Sequence, residues 1–172
     1  MTARSTARHQ TSPGAPPEPR IVLEQFLPYR LNVLATVVSN ALAQIYAERF
    51  GLTIPGWRIV ATLGQYGVRT ARDIALHAVM HKSTVSRAVS ALEGRGLVAR
   101  RPNRDDRREE WLELTPEGRR VYEALAPEAL AFEAGLAAAL TPAEQKAFLT
   151  LVGKLDERAR ALAPDVVAEA AS

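Results

Sequence analysis

Between His81 and Leu97 the sequence runs HKSTVSRAVSALEGRGL. Ser83, Ser86, Arg87 and Ser90 recur there at the three- and four-residue spacing that places side chains on one helix face. Lys82 and Thr84 stand near its start. Short hydroxyls let a backbone come close to a second surface, and arginine presents a rigid fork of donors. This set suits a DNA major groove, where base edges and phosphates are both within reach. Arg87 is the expected base reader, because arginine to guanine is the commonest specific contact. Lys82 is the expected phosphate ligand, and Ser83, Thr84, Ser86 and Ser90 complete the expected contacts.

The other face of the same stretch is apolar, with Val85, Ala88, Val89 and Leu92 in register, and Gly94 and Gly96 offer a helix stop. An ordinary amphipathic surface helix would show the same stripe, so the flanking elements decide. Pro55 suits the start of a helix over 56–64, with Trp57, Ile59, Val60 and Leu63 apolar. Thr70 can cap a helix from Ala71 to Val79, with Asp73 favoured in its first turn and Ile74, Ala75 and Val79 toward the core. After a break near Met80 and His81 the hydroxyl-faced helix begins. That order is a helix-turn-helix.

Beyond Gly96 the period changes. Residues 97–101 and 110–114 read as two short strands joined by a turn at 102–106, with Arg104, Arg107 and Arg108 clustered on the hairpin. Guanidinium groups on such a hairpin can enter a minor groove, drawn by its negative potential. Arg104 and Arg107 are the expected wing contacts, while Asp106 and Arg108 are expected to pair and hold the wing's shape. This is a winged helix.

The ends of the chain serve a different purpose. Residues 1–20 are crowded with Pro, Ser, Thr, Ala and Arg, a disordered basic arm. Phe26 to Phe50 reads as a long helix whose apolar positions cover more circumference than one core face needs. Thr115–Pro116 and Thr141–Pro142 restart helices, the second with Glu144 placed for a capping box, and Pro127 should kink or interrupt the first. The tail from 164 to 172 should fray. The expected fold is therefore mainly α with a small β-hairpin wing. A winged helix-turn-helix domain (57–114) is flanked by a helical dimerisation region built from both chain ends (21–56 and 115–163). A two-fold reader with paired recognition helices suits a palindromic site.

Charge follows the same division. The chain is +3 overall, but residues 81–108 carry eight Lys and Arg against three acids, and residues 109–172 carry six against twelve. A basic block beside an acidic segment is the footprint of a polyanion-binding face. There is no cysteine, which excludes disulfides and thiolate metal sites. No apolar run approaches the length of a membrane span and no apolar leader follows the N-terminus, so a cytoplasmic protein without membrane contact is expected. His77 and His81 are four apart, but a helix break between them argues against a metal pair. No nucleophile–base order, phosphate-binding glycine loop or paired carboxylate can be argued. Neither catalytic residues nor a cofactor are expected.

From about Phe26 to Leu162 the sequence resembles the MarR family of winged-helix transcription regulators. The resemblance rests on Lys82-Ser83-Thr84-Val85-Ser86-Arg87 with Leu92-Glu93 and Gly96-Leu97-Val98. It rests also on a wing signature, Asp-x-Arg, five residues, Leu-Thr-x-x-Gly, met by Asp106, Arg108, Leu114, Thr115 and Gly118. His81 departs from the aspartate frequent in relatives, so the helix start must be held differently. The resemblance implies an obligate homodimer on double-stranded DNA that represses, or less often activates, nearby promoters and, as many members do, is released by a small aromatic or phenolic carboxylate-type anion. The runs 27–31 and 50–58 are similar to the subgroup sensing aromatic carboxylates, which points to Arg30 for the carboxylate and Tyr29 and Trp57 as aromatic walls. A constitutive or architectural DNA-binding protein without an effector is the alternative.

Overall fold

The computed structural model of the chain describes residues 20–103 and 109–163. The chain divides into two compact units, one ending at Thr36 and the other beginning at Val37. The element order is α1 (Leu27–Phe50), α2 (Ile54–Tyr66), β1 (Arg69–Thr70), α3 (Ala71–Ala78), α4 (Lys82–Gly94), β2 (Val98–Pro102), β3 (Glu110–Leu114), α5 (Pro116–Ala137) and α6 (Pro142–Leu162). The protein is mainly α with one small sheet.

Local chemistry accounts for the helix starts. Thr53, Thr70, Thr115 and Thr141 cap α2, α3, α5 and α6, each hydroxyl accepting a backbone N–H of the first turn. Such a cap satisfies one of the donors that a helix start leaves unpaired. Asp73 and Glu144 complete reciprocal capping boxes with Thr70 and Thr141. Hydrogen bonds from the Thr141 backbone and hydroxyl hold the Glu144 carboxyl below its ordinary value.

Of the two outcomes open at Pro127, interruption does not occur: α5 runs unbroken from Pro116 to Ala137. Pro127 and Glu123 are both exposed, so the missing hydrogen bond of the proline falls on the outer side of the helix rather than in the core. Val79, expected toward the core, does not face it. It is 51% exposed and takes a left-handed conformation with φ 48°. Met80 N donates to Ala75 O at 2.9 Å and Val79 N to Leu76 O at 3.4 Å, the pairing that closes a helix through a left-handed residue. That reversal turns Val79 outward and buries Met80 in its place.

The core lies in the second unit. Ile59, Val60 and Leu63 of α2 cluster with Ile74 of α3, Val85, Val89 and Leu92 of α4, Leu112 of β3, and Val121 and Leu125 of α5. Tyr46 and Leu52 join the cluster from the end of α1 and the turn after it. The sheet is antiparallel in the order β1-β3-β2, with Val98 opposite Leu114 and Pro102 opposite Glu110. β1 is an addition to the expected hairpin, since two residues carry no alternation for a sequence to display.

Candidate nucleic-acid interface

Helix α4 presents the two faces its spacing predicts. Val85, Val89 and Leu92 are buried, whereas Lys82, Ser83, Ser86, Arg87 and Ser90 are exposed and Thr84 is half-buried. The six expected DNA contacts on this helix therefore share one surface, with Thr84 at its margin. Apolar burial on the inner face, about 25 cal/mol per Å² removed from water, holds the polar face outward. Arg87 Nε donates to Ser83 O at 3.2 Å, one of the five donors its guanidinium carries.

The helix start is held by His81 in place of aspartate. Its Nδ1 accepts the Ser83 backbone N–H at 3.2 Å and lies 2.8 Å from Ser83 Oγ. Accepting at Nδ1 leaves Nε2 to carry the proton of the neutral ring. At the other end, Leu97 N donates to Leu92 O at 2.9 Å and Gly96 N to Glu93 O at 2.8 Å. Gly96 supplies the φ of 69° that this closure needs.

The basic block offers less cation to a partner than its count implies. Arg100 reaches Glu93 on α4 at 3.0 Å and Glu110 on β3 at 2.8 Å, and these carboxylates, Glu110 foremost, raise its pKa further. Arg101 pairs with Glu113 across the hairpin at 2.6 Å. Arg95 donates to Phe50 O and, at 3.1 Å, to Gly51 O. Arg100 fastens the hairpin and Arg95 fastens α1 to α4, while Arg101 ties the two strands of the hairpin together, although a charge count assigns all three to the polyanion-binding face. Arg104, Asp106, Arg107 and Arg108 lie outside the described residues.

Among the residues considered for an effector, Tyr29 and Arg30 belong to the first unit and Trp57 to the second. Arg30 donates to Glu24 O at 3.0 Å. Trp57 stacks on buried Tyr46 with ring centroids 5.5 Å apart. Burial pushes the Tyr46 hydroxyl pKa up, against an opposing pull from Arg58. Trp57, Arg58, Thr62, Gln65 and His77 line a hollow of about 270 Å³ between α2 and α3. Sequence reasoning misses Arg58, although it ends the 50–58 run and follows Trp57 directly. A larger open cleft of about 1170 Å³ runs past Arg69, His77, Arg101 and Trp111.

The two histidines part company. His77 meets the Tyr66 ring edge-on at 5.0 Å, while His81 caps α4 beyond the end of α3. Among the described residues no group of three or more His, Cys, Asp or Glu could hold a metal ion.

Comparison with known proteins gives this geometry its family. The MarR family model matches residues 52–109, from the turn before α2 to the residue before β3. A crystal structure of a MarR family transcriptional regulator from Silicibacter pomeroyi is 31% identical, with a TM-score of 0.67, over 78% of this chain and 90% of that one. The chain belongs to the MarR family. A MarR-type chain is accordingly a DNA-binding transcriptional regulator, and its relatives are regulators rather than enzymes. YwoH of Bacillus subtilis, an HTH-type transcriptional regulator, is 29% identical over 126 residues, 73% of this chain and 90% of YwoH. BpsR of Bordetella bronchiseptica, in a structure concerned with regulation of its DNA binding by 6-hydroxynicotinic acid, shares the fold at a TM-score of 0.71. It is 22% identical, over 80% of this chain and 98% of that one. No single helix among the described residues is long and apolar enough to cross a membrane.

Proposed function

We propose that this MarR-family chain is a cytoplasmic homodimeric repressor that reads a palindromic operator through α4 and leaves it when a small aromatic carboxylate binds. The observation that carries the reading is the division of α4 into a buried aliphatic face and an exposed face of hydroxyls and Arg87. Arg87 reads a base edge, Lys82 holds a phosphate, and Ser83, Thr84, Ser86 and Ser90 fill the space between. Arg104 and Arg107 follow the minor groove from the wing, with Asp106 and Arg108 paired to shape it.

The dimer reading rests on apolar surface that a single chain leaves uncovered. Leu27, Leu31 and Leu34 of α1 are exposed, and α6 buries none of its residues, although Phe148, Leu149, Val152 and Leu155 recur along it. Apolar exposure of that extent on two long helices is the mark of an interface. The effector reading rests on the hollow at Trp57, where an aromatic residue and the cationic Arg58 line one small space. An aromatic ring with a carboxylate has chemistry complementary to both. BpsR, regulated by an aromatic carboxylate, has the same fold. Arg58 takes the carboxylate in this reading, with Tyr29 and Arg30 as further candidates from α1.

The test is a fluorescence-polarisation titration on duplex DNA from the protein's own upstream region, repeated at several salt concentrations and with 6-hydroxynicotinate and related aromatic carboxylates. Salt-sensitive binding relieved by one compound supports the full reading. Salt-sensitive binding that no compound relieves leaves a constitutive DNA-binding protein and removes the effector. Absence of salt-dependent binding overturns the DNA role of α4.

A further inference from the structure

Arg95 joins two elements that sequence keeps far apart. It is the residue directly after the last turn of α4, and its guanidinium donates to the Phe50 carbonyl and, at 3.1 Å, to that of Gly51. Both acceptors lie where α1 ends, and Gly51 takes a φ of 58° there. A helix C-terminus exposes unsatisfied carbonyls and a partial negative charge, so a cation on them is doubly favourable. The same last turn of α1 is tied to α5 by the ion pair between Arg49 and Glu128. Arg95 is therefore a strut from the far end of the recognition helix to a helix that the preceding reading assigns to the dimer interface.

We infer that Arg95 is a specificity-determining positioning residue: it fixes the angle of α4 against α1 and thereby the spacing at which two half-sites can be read together. The inference rests on the dimer reading. Two recognition helices about one DNA turn apart read a single spacing only if each is held rigidly to the dimer frame. Arg95 touches no base in this role. A planar fork that reaches two adjacent carbonyls resists rotation about the contact, as one flexible ammonium would not. Core packing on Val85, Val89 and Leu92 keeps α4 in place without it and resumes at Leu97 and Val98, so Arg95 acts on the exposed stretch between them.

Selection of duplexes from a random library by the full chain tests the inference, with each enriched pool read for half-site sequence and for spacer length. The unaltered chain should enrich one inverted repeat with one spacer. Arg95→Ala should enrich the same half-site with two or more spacers and bind the original repeat about tenfold more weakly, while a duplex with a single half-site binds within twofold of the unaltered chain. Unchanged single-half-site binding certifies that the variant is folded. Arg95→Gln, which retains a donor, should lie between and serves if Arg95→Ala fails to fold. A variant that enriches only the original spacer at undiminished affinity overturns the role of Arg95. If the unaltered chain enriches only single half-sites, the dimeric reading falls and the strut has no spacing to set.

Discussion

Thr115 locks the end of the wing onto the end of the recognition helix: its hydroxyl donates to Gly96 O at 2.6 Å. The same hydroxyl accepts the Gly118 N–H at 3.0 Å, and the Thr115 N–H donates to Leu97 O at 3.1 Å. One threonine thus caps α5 and clamps the turn that follows α4. Leu114, Thr115 and Gly118 of the family signature meet at this junction, and the close approach of α5 to Leu97 explains the glycine.

A Cβ built on Gly118 would lie 1.9 Å from Leu97 O, a backbone atom that cannot swing aside. Gly118→Ala should therefore force α5 away from the turn and cost about 2–3 kcal/mol, the upper part of the range for overpacking. Thermal unfolding followed by circular dichroism measures it. A melting temperature within about a degree of the unaltered chain would show that the junction is looser than its geometry indicates.

Val79 should be an avoidable cost. A β-branched side chain at φ 48° sits in the region that L-residues enter at about 1–2 kcal/mol, and at 51% exposure its packing returns little. Val79→Gly should raise stability by up to about 1 kcal/mol, part of the relief being offset by the greater backbone freedom of glycine in the unfolded chain. Chemical denaturation at fixed slope checks this. Loss of stability would mean that the valine makes contacts worth more than the strain.

These two positions mark what the sequence could and could not disclose. The α4 face is legible because its period is local, with hydroxyls and aliphatics alternating within a few residues. The caps at Thr70, Thr115 and Thr141 are legible for the same reason, whereas the Thr53 cap of α2 is not, because Pro55 draws the expected helix start past it. Val79 is not, since an apolar residue at helical spacing reads as core and only the reversal of the chain turns it out. The pairings of Arg95, Arg100 and Arg101 are equally hidden, because each partner lies on another element and a charge count treats all arginines alike. Arg58 is visible beside Trp57, but nothing in the sequence says that both border one hollow with His77 of α3. The wing tip at 104–108 rests on sequence alone.

If α1 and α6 are interface helices, charge placed on α6 should dissociate the dimer without unfolding the protomer. Leu149 is 71% exposed and Leu155 40%. Leu149→Glu with Leu155→Glu should weaken association by about 3 kcal/mol or more, roughly a hundredfold in Kd. Light scattering at micromolar concentration should then give the monomer mass, with helix content by circular dichroism little changed. A dimer that survives both charges would move the interface elsewhere.

On the selected operator, Arg87→Ala should cost about 1–3 kcal/mol and relax the preference at one base-pair position. Arg87 is exposed and its Nε bond to Ser83 O is local, so stability should change by no more than about 0.5 kcal/mol. A uniform loss over all sequences would make Arg87 a phosphate ligand instead. Unchanged affinity would remove it from the interface.

The wing needs a different observable, because minor-groove and phosphate interactions change the electrostatic part of binding more than its sequence preference. With Arg95, Arg100 and Arg101 engaged inside the protein, most of the remaining cation of the basic block belongs to Arg104, Arg107 and Arg108. Each phosphate neutralised contributes about 0.9 to the slope of log affinity against log salt. Arg104→Ala with Arg107→Ala should lower that slope by about one unit for each phosphate no longer neutralised, and weaken specific and non-specific duplexes alike. Asp106→Ala should act otherwise: it adds net positive charge and removes only the proposed partner of Arg108, so the slope should hold while specific binding falls. An unchanged slope in the double variant would take the wing off the DNA and leave α4 as the reader by itself.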